Sequence, residues 1–181
     1  MHRRRARHRH AARKSGRSSL MLTNRRTVRI QFGDCDPHGI VFYPRYFEFF
    51  DACTDALFER AGLPREKMLR TYHIDGIPLV NVRTSFLRPS RHGDTVVIES
   101  SFAECGRSSF SVCHKLYNGK VLAVEGVEKR VWVVPTKNTP SRFKSQAIPQ
   151  EIVERCCGVR GRQQASGKAR GARFRKVGVR A

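Results

Sequence analysis

No run of apolar residues in this sequence approaches the ~20 needed for a membrane-spanning helix, so no membrane role is expected. The chain also lacks the glycine pattern of a phosphate-cradling or dinucleotide-binding loop, and it has no Gly-x-Ser-x-Gly elbow. Those absences set aside the common nucleotide-dependent and serine-hydrolase readings. Its six cysteines include no pair at metal-ligand spacing: Cys156 and Cys157 are adjacent, and Cys35, Cys53, Cys105 and Cys113 are scattered. With no signal peptide, they read as reduced thiols of a cytoplasmic protein without a metal site. Internal repeats are absent as well.

Acid is missing from both ends. Residues 1–20 carry eight Lys or Arg and no Asp or Glu, and residues 158–181 carry another eight with none. Of the net charge of +21, only +5 belongs to the stretch between. Both ends are rich in Arg, Gly, Ser and Ala and too poor in large apolar residues to offset their ordering entropy by burial. The reading is a basic disordered tail over 1–24, one domain over 25–157 and a second basic tail over 158–181. A domain of that size can bury a real core.

The order of patterns within the domain gives the fold class. A short alternating run over 27–32 predicts a strand. Residues 44–62 predict one long helix, with Pro44 at its first turn and Gly62-Leu63-Pro64 ending it. Tyr46, Phe49, Phe50, Cys53 and Leu57 form its apolar stripe. A short helix over 64–72 follows, and from Ile77 the period becomes two. Strands are predicted to Phe86, over 94–104, over 108–117 and over 121–134, with a loop over 136–149 and a last helix over 150–157. Asn118-Gly119 signals a type I′ hairpin. Short turns imply that the last four strands form an antiparallel meander. The class is α+β: a five-stranded antiparallel sheet wrapped around one long central helix.

Chemistry concentrates between the first strand and that helix, in Phe32-Gly33-Asp34-Cys35-Asp36-Pro37-His38-Gly39-Ile40-Val41-Phe42-Tyr43-Pro44. The Asp34-x-Asp36 pair lacks the alternating β/α surroundings of a phosphotransferase and the extra oxygens of a calcium loop. From the residues alone it is equally a catalytic carboxylate beside a helix N-terminus or a pair of turn caps. His38 is a general-base candidate or a plain hydrogen-bonding residue. His114 reads as a satisfied core histidine. Arg107, after Gly106 at a turn, suits a phosphate or solvent. Asp51 falls beside an apolar helix patch formed by Phe47 and Phe58.

The loop motif, the helix bearing Asp51-Ala52, the Gly62-Leu63-Pro64 ending, Gly76-Ile77-Pro78-Leu79-Val80 and Ser85-Phe86 together resemble the 4-hydroxybenzoyl-CoA thioesterase family of hotdog-fold enzymes. The resemblance covers roughly residues 25–155. It implies a hotdog fold and an acyl-CoA thioesterase whose substrate is an aryl-CoA resembling 4-hydroxybenzoyl-CoA, or a short-chain acyl-CoA. It implies Asp36 as the catalytic carboxylate and the backbone N–H of Tyr43 as the group that polarises the thioester carbonyl. Asp51 falls where the family reads a ring hydroxyl, and His38 and Arg107 join it as substrate-binding candidates. Phe42 stands where a Trp is expected, and Gly106 and Ser108 stand where basic residues are. The resemblance implies no metal or separate cofactor, coenzyme A being part of the substrate, and a homodimer or homotetramer. The competing function class is a nucleic-acid-binding protein acting through its Arg-rich tails. Against it, the charge lies outside the fold and Phe174 is the tails' sole aromatic for base stacking.

Overall fold

A computed structural model describes residues 21–136 and 143–158; of the expected tails over 1–24 and 158–181, residues 1–20 and 159–181 lie outside the described residues, and Thr23 and Asn24 belong to a strand. Five strands form one antiparallel sheet: β1 (Thr23–Arg29), β2 (Leu79–Phe86), β3 (Thr95–Cys105), β4 (Ser109–Asn118) and β5 (Val121–Val131). The helices are α1 (Tyr43–Arg60), α2 (Arg65–Tyr72) and α3 (Gln150–Cys157), and β6 (Val133–Pro135) pairs with β7 (Phe143–Ser145) as a separate ribbon.

The long helix forms where the apolar period predicted it. Its buried face is Tyr46, Phe50, Cys53, Thr54, Leu57 and Phe58, spaced by three or four residues. It ends in a Schellman motif: Gly62, at φ +73°, donates its N–H to Glu59 O, and Leu63 donates to Phe58 O at 3.0 Å. Leu63 is buried and closes the end apolarly. The face packs on the inner side of the sheet. Phe50 lies flat on His114, with ring centroids 4.5 Å apart and planes 7° from parallel. Phe58 meets Phe102 and Phe110 edge-on at 5.1 and 5.2 Å. Gly126 of β5 is needed here because a Cβ would come within 3.0 Å of Phe50 Cε2.

Strand order departs from the expected meander. The sheet runs β1-β3-β4-β5-β2, so only β3, β4 and β5 are consecutive hairpins. Strand β2 crosses to the far edge and pairs with β5. Its connection to β3 has work of its own: Leu87 and Arg88 both donate to Ala123 O, while Ser90 O accepts Val41 N and Arg91 bridges Ile40. The fifth strand also ends sooner than the apolar run implied. It stops at Val131, because the buried Trp132 turns its N–H to Ser108 O and Val133 starts the ribbon with β7. A short strand therefore occupies part of the expected loop over 136–149. The first strand starts at Thr23, earlier than its weak alternation showed, since pairing with β3 sets its register.

Two finer expectations are corrected. The β4–β5 turn is centred on Gly119-Lys120, and positive φ occurs at Gly119 alone, so it follows the II′ rather than the I′ pattern. The cysteines are not all thiols either: Cys105 at the end of β3 is disulfide-bonded to Cys157 at the end of α3, with Cα atoms 6.3 Å apart across 52 residues of sequence. Packing of α3 over the end of the sheet brings them together, which linear spacing conceals. Cys35, Cys53, Cys113 and Cys156 stay free. Burial pushes the Cys156 thiol up to about 12, so it is no nucleophile. No helix among the described residues is long and apolar enough to cross a membrane.

Closing a 52-residue loop restricts the unfolded chain by about 4 kcal/mol on the chain-entropy scale. Urea unfolding of the oxidised protein, compared with the same protein in dithiothreitol, is expected to show a loss of about 2–4 kcal/mol on reduction. No loss would mean that this bond does not hold α3.

Candidate active site

The loop ahead of α1 is folded by its own polar groups. Asp36-Pro37-His38-Gly39 carries the residue signature of a type I turn, with Asp first, Pro second and Gly last. Gly39 N donates to Asp36 O at 2.9 Å, and Gly39 takes φ +73°, which a side chain would resist. His38 N donates to Asp36 Oδ1 at 2.9 Å. Asp36 N donates to Ile40 O, and Cys35 bridges Val41, so the turn closes a small hairpin. Phe42 N then donates to Asp34 O at 2.8 Å, which leads the chain directly into the helix.

The two aspartates are thereby separated in role. Asp34 is occupied by the loop: its Oδ2 accepts Gln31 N at 2.8 Å, capping the 3-10 turn over Phe32–Asp34, and Arg45 Nε stands 3.9 Å from Oδ1. Asp36 is half-buried and uses Oδ1 on the backbone of its own turn. Its Oδ2 has no partner among the described residues. Tyr43 opens α1, after Phe42 in extended conformation, and Pro44 has no N–H to offer. Arg45 N reaches Phe42 O. That leaves the Tyr43 N–H without a backbone acceptor among the described residues, at the end of a helix where unpaired N–H groups and partial positive charge gather.

The other candidates are spread along the molecule. His38 is exposed at the tip of the turn, held through its backbone. Asp51 lies eight residues into α1, about 12 Å along the axis from Tyr43. Its side chain is 53% exposed, and its Oδ1 accepts a 2.6 Å hydrogen bond from Arg130 Nη2. Arg107 is exposed in the β3–β4 turn, beside the end of α1 that packs on Phe102 and Phe110. Asp36 and Tyr43 therefore belong to one loop-to-helix connection of the same chain, whereas Arg107 lies in the β3–β4 turn, at the opposite end of the sheet.

Sequence reasoning missed a band of polar groups beneath Asp51. Thr54, Ser100, His114, Glu128 and Arg130 are all buried. Ser100 Oγ and His114 Nδ1 pair at 2.8 Å, Thr54 donates to Glu128 Oε2 at 3.2 Å, and Arg130 Nε donates to the same oxygen at 2.9 Å. His114 is thus a satisfied core residue. Burial alone would push the Glu128 carboxyl up, but the His114 ring 3.6 Å away and the hydrogen-bonded Arg130 guanidinium outweigh it and hold the group below its usual range. The available signal was parity: Val124, Gly126, Glu128 and Arg130 occupy successive inward positions of β5, so a charged pair sits on the apolar face.

The arrangement of one carboxylate beside an unpaired helix start can attack, or direct water at, a carbonyl whose oxygen rests on the helix. Proteins with known activity resemble this chain in sequence and in fold. Residues 30–156 match the model of the thioesterase-like superfamily. The chain is 34% identical to the 4-hydroxybenzoyl-CoA thioesterase of Pseudomonas sp. (strain CBS-3) over 135 residues, which are 71% of this chain and 93% of that protein. A crystal structure of a 4-hydroxybenzoyl-CoA thioesterase variant complexed with 4-hydroxybenzoyl-CoA matches with TM-score 0.69 and 30% identity, covering 75% of this chain and 99% of that one. A gentisyl-coenzyme A thioesterase structure matches with TM-score 0.62 and 28% identity, covering 74% and 99%. A five-stranded antiparallel sheet around a long helix is the hotdog fold of these enzymes, and with that architecture and that similarity over most of its length the chain belongs to the thioesterase-like superfamily, as a thioester hydrolase.

Proposed function

We propose that the protein hydrolyses an aryl-CoA thioester of the 4-hydroxybenzoyl-CoA kind, with a short-chain acyl-CoA as the second candidate. The observation that carries this reading is the Asp36 turn, closed by His38 N and Gly39 N, beside the unpaired N–H of Tyr43. The thioester carbonyl oxygen accepts the Tyr43 N–H, and charge developing on it meets the positive end of α1. Asp36 Oδ2 then acts in one of two ways. As a nucleophile it bonds to the carbonyl carbon, the carbon–sulfur bond breaks, coenzyme A thiolate leaves, and water opens the resulting anhydride. As a general base it takes a proton from water, whose oxygen attacks the carbon, and the departing thiolate takes up a proton. Coenzyme A enters as part of the substrate, and the residues supply all the chemistry without a separate cofactor.

In this reading Asp51 accepts the ring hydroxyl, and His38 and Arg107 contact the coenzyme A part. The separation of Arg107 from Asp36 within one chain supports a site shared between two copies. So does the free edge of the sheet. Leu79, Val80 and Phe86 of β2 are exposed, as are Phe42 and Tyr43 at the helix start, and Tyr46 packs on Phe86 at 5.6 Å between them. An apolar edge of this kind calls for a partner, and a second copy fits. The reading also places the enzyme in the cytoplasm, where the four free thiols are the ordinary state and the Cys105–Cys157 bond is the exception.

Asp36→Asn is nearly isosteric. It should leave folding and coenzyme A binding intact and lower turnover by at least ~10²-fold, whereas Asp34→Asn should act mainly through stability. Near-normal turnover with Asn at 36, together with none with Asn at 34, would show that the other aspartate is catalytic. Single turnover in ¹⁸O-water tests the nucleophilic route: label in the Asp36 carboxylate shows an anhydride that water opens at the aspartyl carbon. Asp51→Ala should raise KM for 4-hydroxybenzoyl-CoA and change benzoyl-CoA little; equal effects on both substrates would remove Asp51 from recognition. Sedimentation at micromolar concentration should show a dimer or tetramer, and a monomer would contradict the shared site.

A further inference from the structure

The aryl-CoA reading leaves unexplained why an ion pair lies inside this core. Glu128 and Arg130 are buried, and such pairs add little to stability compared with apolar residues of the same volume. What a buried pair can supply is fixed geometry. Arg130 directs both Nε and Nη2 to Glu128 Oε2, each at 2.9 Å, and Nη2 also donates to Asp51 Oδ1 at 2.6 Å. Glu128 is held in turn by Thr54 at 3.2 Å. Thr54 lies three residues after Asp51, on the same side of α1. The relay therefore leaves α1 at Thr54, passes through two residues of β5 and returns to α1 at Asp51. Among the described residues Asp51 Oδ2 has no partner, so one oxygen is fixed and the other is free.

Resting on the reading of Asp51 as the residue that meets the ring substituent, we infer that Arg130 is a positioning residue for substrate selection. A carboxylate half-exposed on a helix samples several rotamers. Clamped by Arg130, Asp51 presents Oδ2 in one direction. Two carboxylates share this guanidinium, so the free oxygen keeps a net negative surrounding. The substituent it takes is a hydrogen-bond donor: a para-hydroxyl or para-amino group. A para-methoxy ring offers no donor and a para-carboxylate meets like charge, so both are rejected. Lysine cannot replace the clamp, because a single ammonium does not reproduce the planar fork that spans Glu128 and Asp51.

The test measures kcat and KM for 4-hydroxybenzoyl-CoA and benzoyl-CoA in wild type, Arg130→Lys, Asp51→Ala and the Asp51→Ala/Arg130→Lys double variant. Arg130→Lys is expected to lower the preference for the hydroxylated ring roughly tenfold, about the value of one hydrogen bond, through KM rather than kcat. In the Asp51→Ala background the lysine should lower that preference no further. Should Arg130→Lys fail to fold, the matched pair Glu128→Gln/Arg130→Gln removes both buried charges at once, leaves neither unpaired, and should show the same loss of preference. Equal losses on both substrates, with a lowered Tm, would make Arg130 merely structural and overturn the inference. Wild type that hydrolyses both rings equally would overturn it too, yet leave the thioesterase reading standing. Hydrolysis of neither acyl-CoA would overturn both.

Discussion

The contact between Phe50 and the floor formed by His114 and Gly126 sets how deeply α1 sits in the sheet. A Cβ at 126 would stand 3.0 Å from Phe50 Cε2 and 3.2 Å from Thr84 Oγ1, so the Phe50 ring would have to give way by a few tenths of an ångström. Everything functional hangs from that depth. The start of α1 meets Val41 and Phe42, which are tied to Ser90 O and Asp34 O, so the Asp36 turn is built against a helix end whose position is already fixed. Loops placed by rigid elements in this way are common sites of chemistry. Here the loop is closed by its own groups, through Asp34 Oδ2, Asp36 Oδ1 and the backbone pairs of the turn.

The same helix divides the core. On its N-terminal side Phe50 and Cys53 pack with Ile30, Val96, Ile98, Leu116 and Val124. On its C-terminal side Leu57 and Phe58 pack with Phe102, Phe110, Trp132 and Ile152. Between these two apolar clusters lie Thr54, Ser100, His114 and Glu128, so the polar band crosses the middle of the core. A half-satisfied network there would cost more than an apolar core. Each member has a partner, and the chain of bonds ends at an exposed carboxylate on the face where the substrate ring is proposed to lie. The inward positions of β5 thus pass from Val124 and Gly126, which pack, to Glu128 and Arg130, which carry the bonds to Asp51.

Local signals in the sequence were read correctly where the physics is local, except for the type of the Gly119-Lys120 turn. The period of Tyr46, Phe50, Cys53 and Leu57, the Gly62 ending and the alternation of β3 and β4 needed no knowledge of distant residues. The loop motif also marked a real turn, in which Asp36, Pro37 and Gly39 each have a fixed task. What escaped depends on contacts between residues far apart in the chain. The pairing of β2 with β5, the Cys105–Cys157 bond and the Trp132 break all follow from packing that linear spacing does not encode. Asp51 is the instructive case. Its helical position was evident, but its partner lies 79 residues away on a strand, and only the packed fold brings the two together.

The central claim is that the Asp36 turn and the start of α1 form a thioester-cleaving site shaped for a donor-bearing aryl group. It is tested most directly by a panel of acyl-CoA substrates, followed by release of free coenzyme A thiol. The account predicts the highest kcat/KM for 4-hydroxybenzoyl-CoA, a lower value for benzoyl-CoA and lower values still for short aliphatic chains. Faster cleavage of aliphatic acyl-CoA than of every aryl-CoA would contradict it.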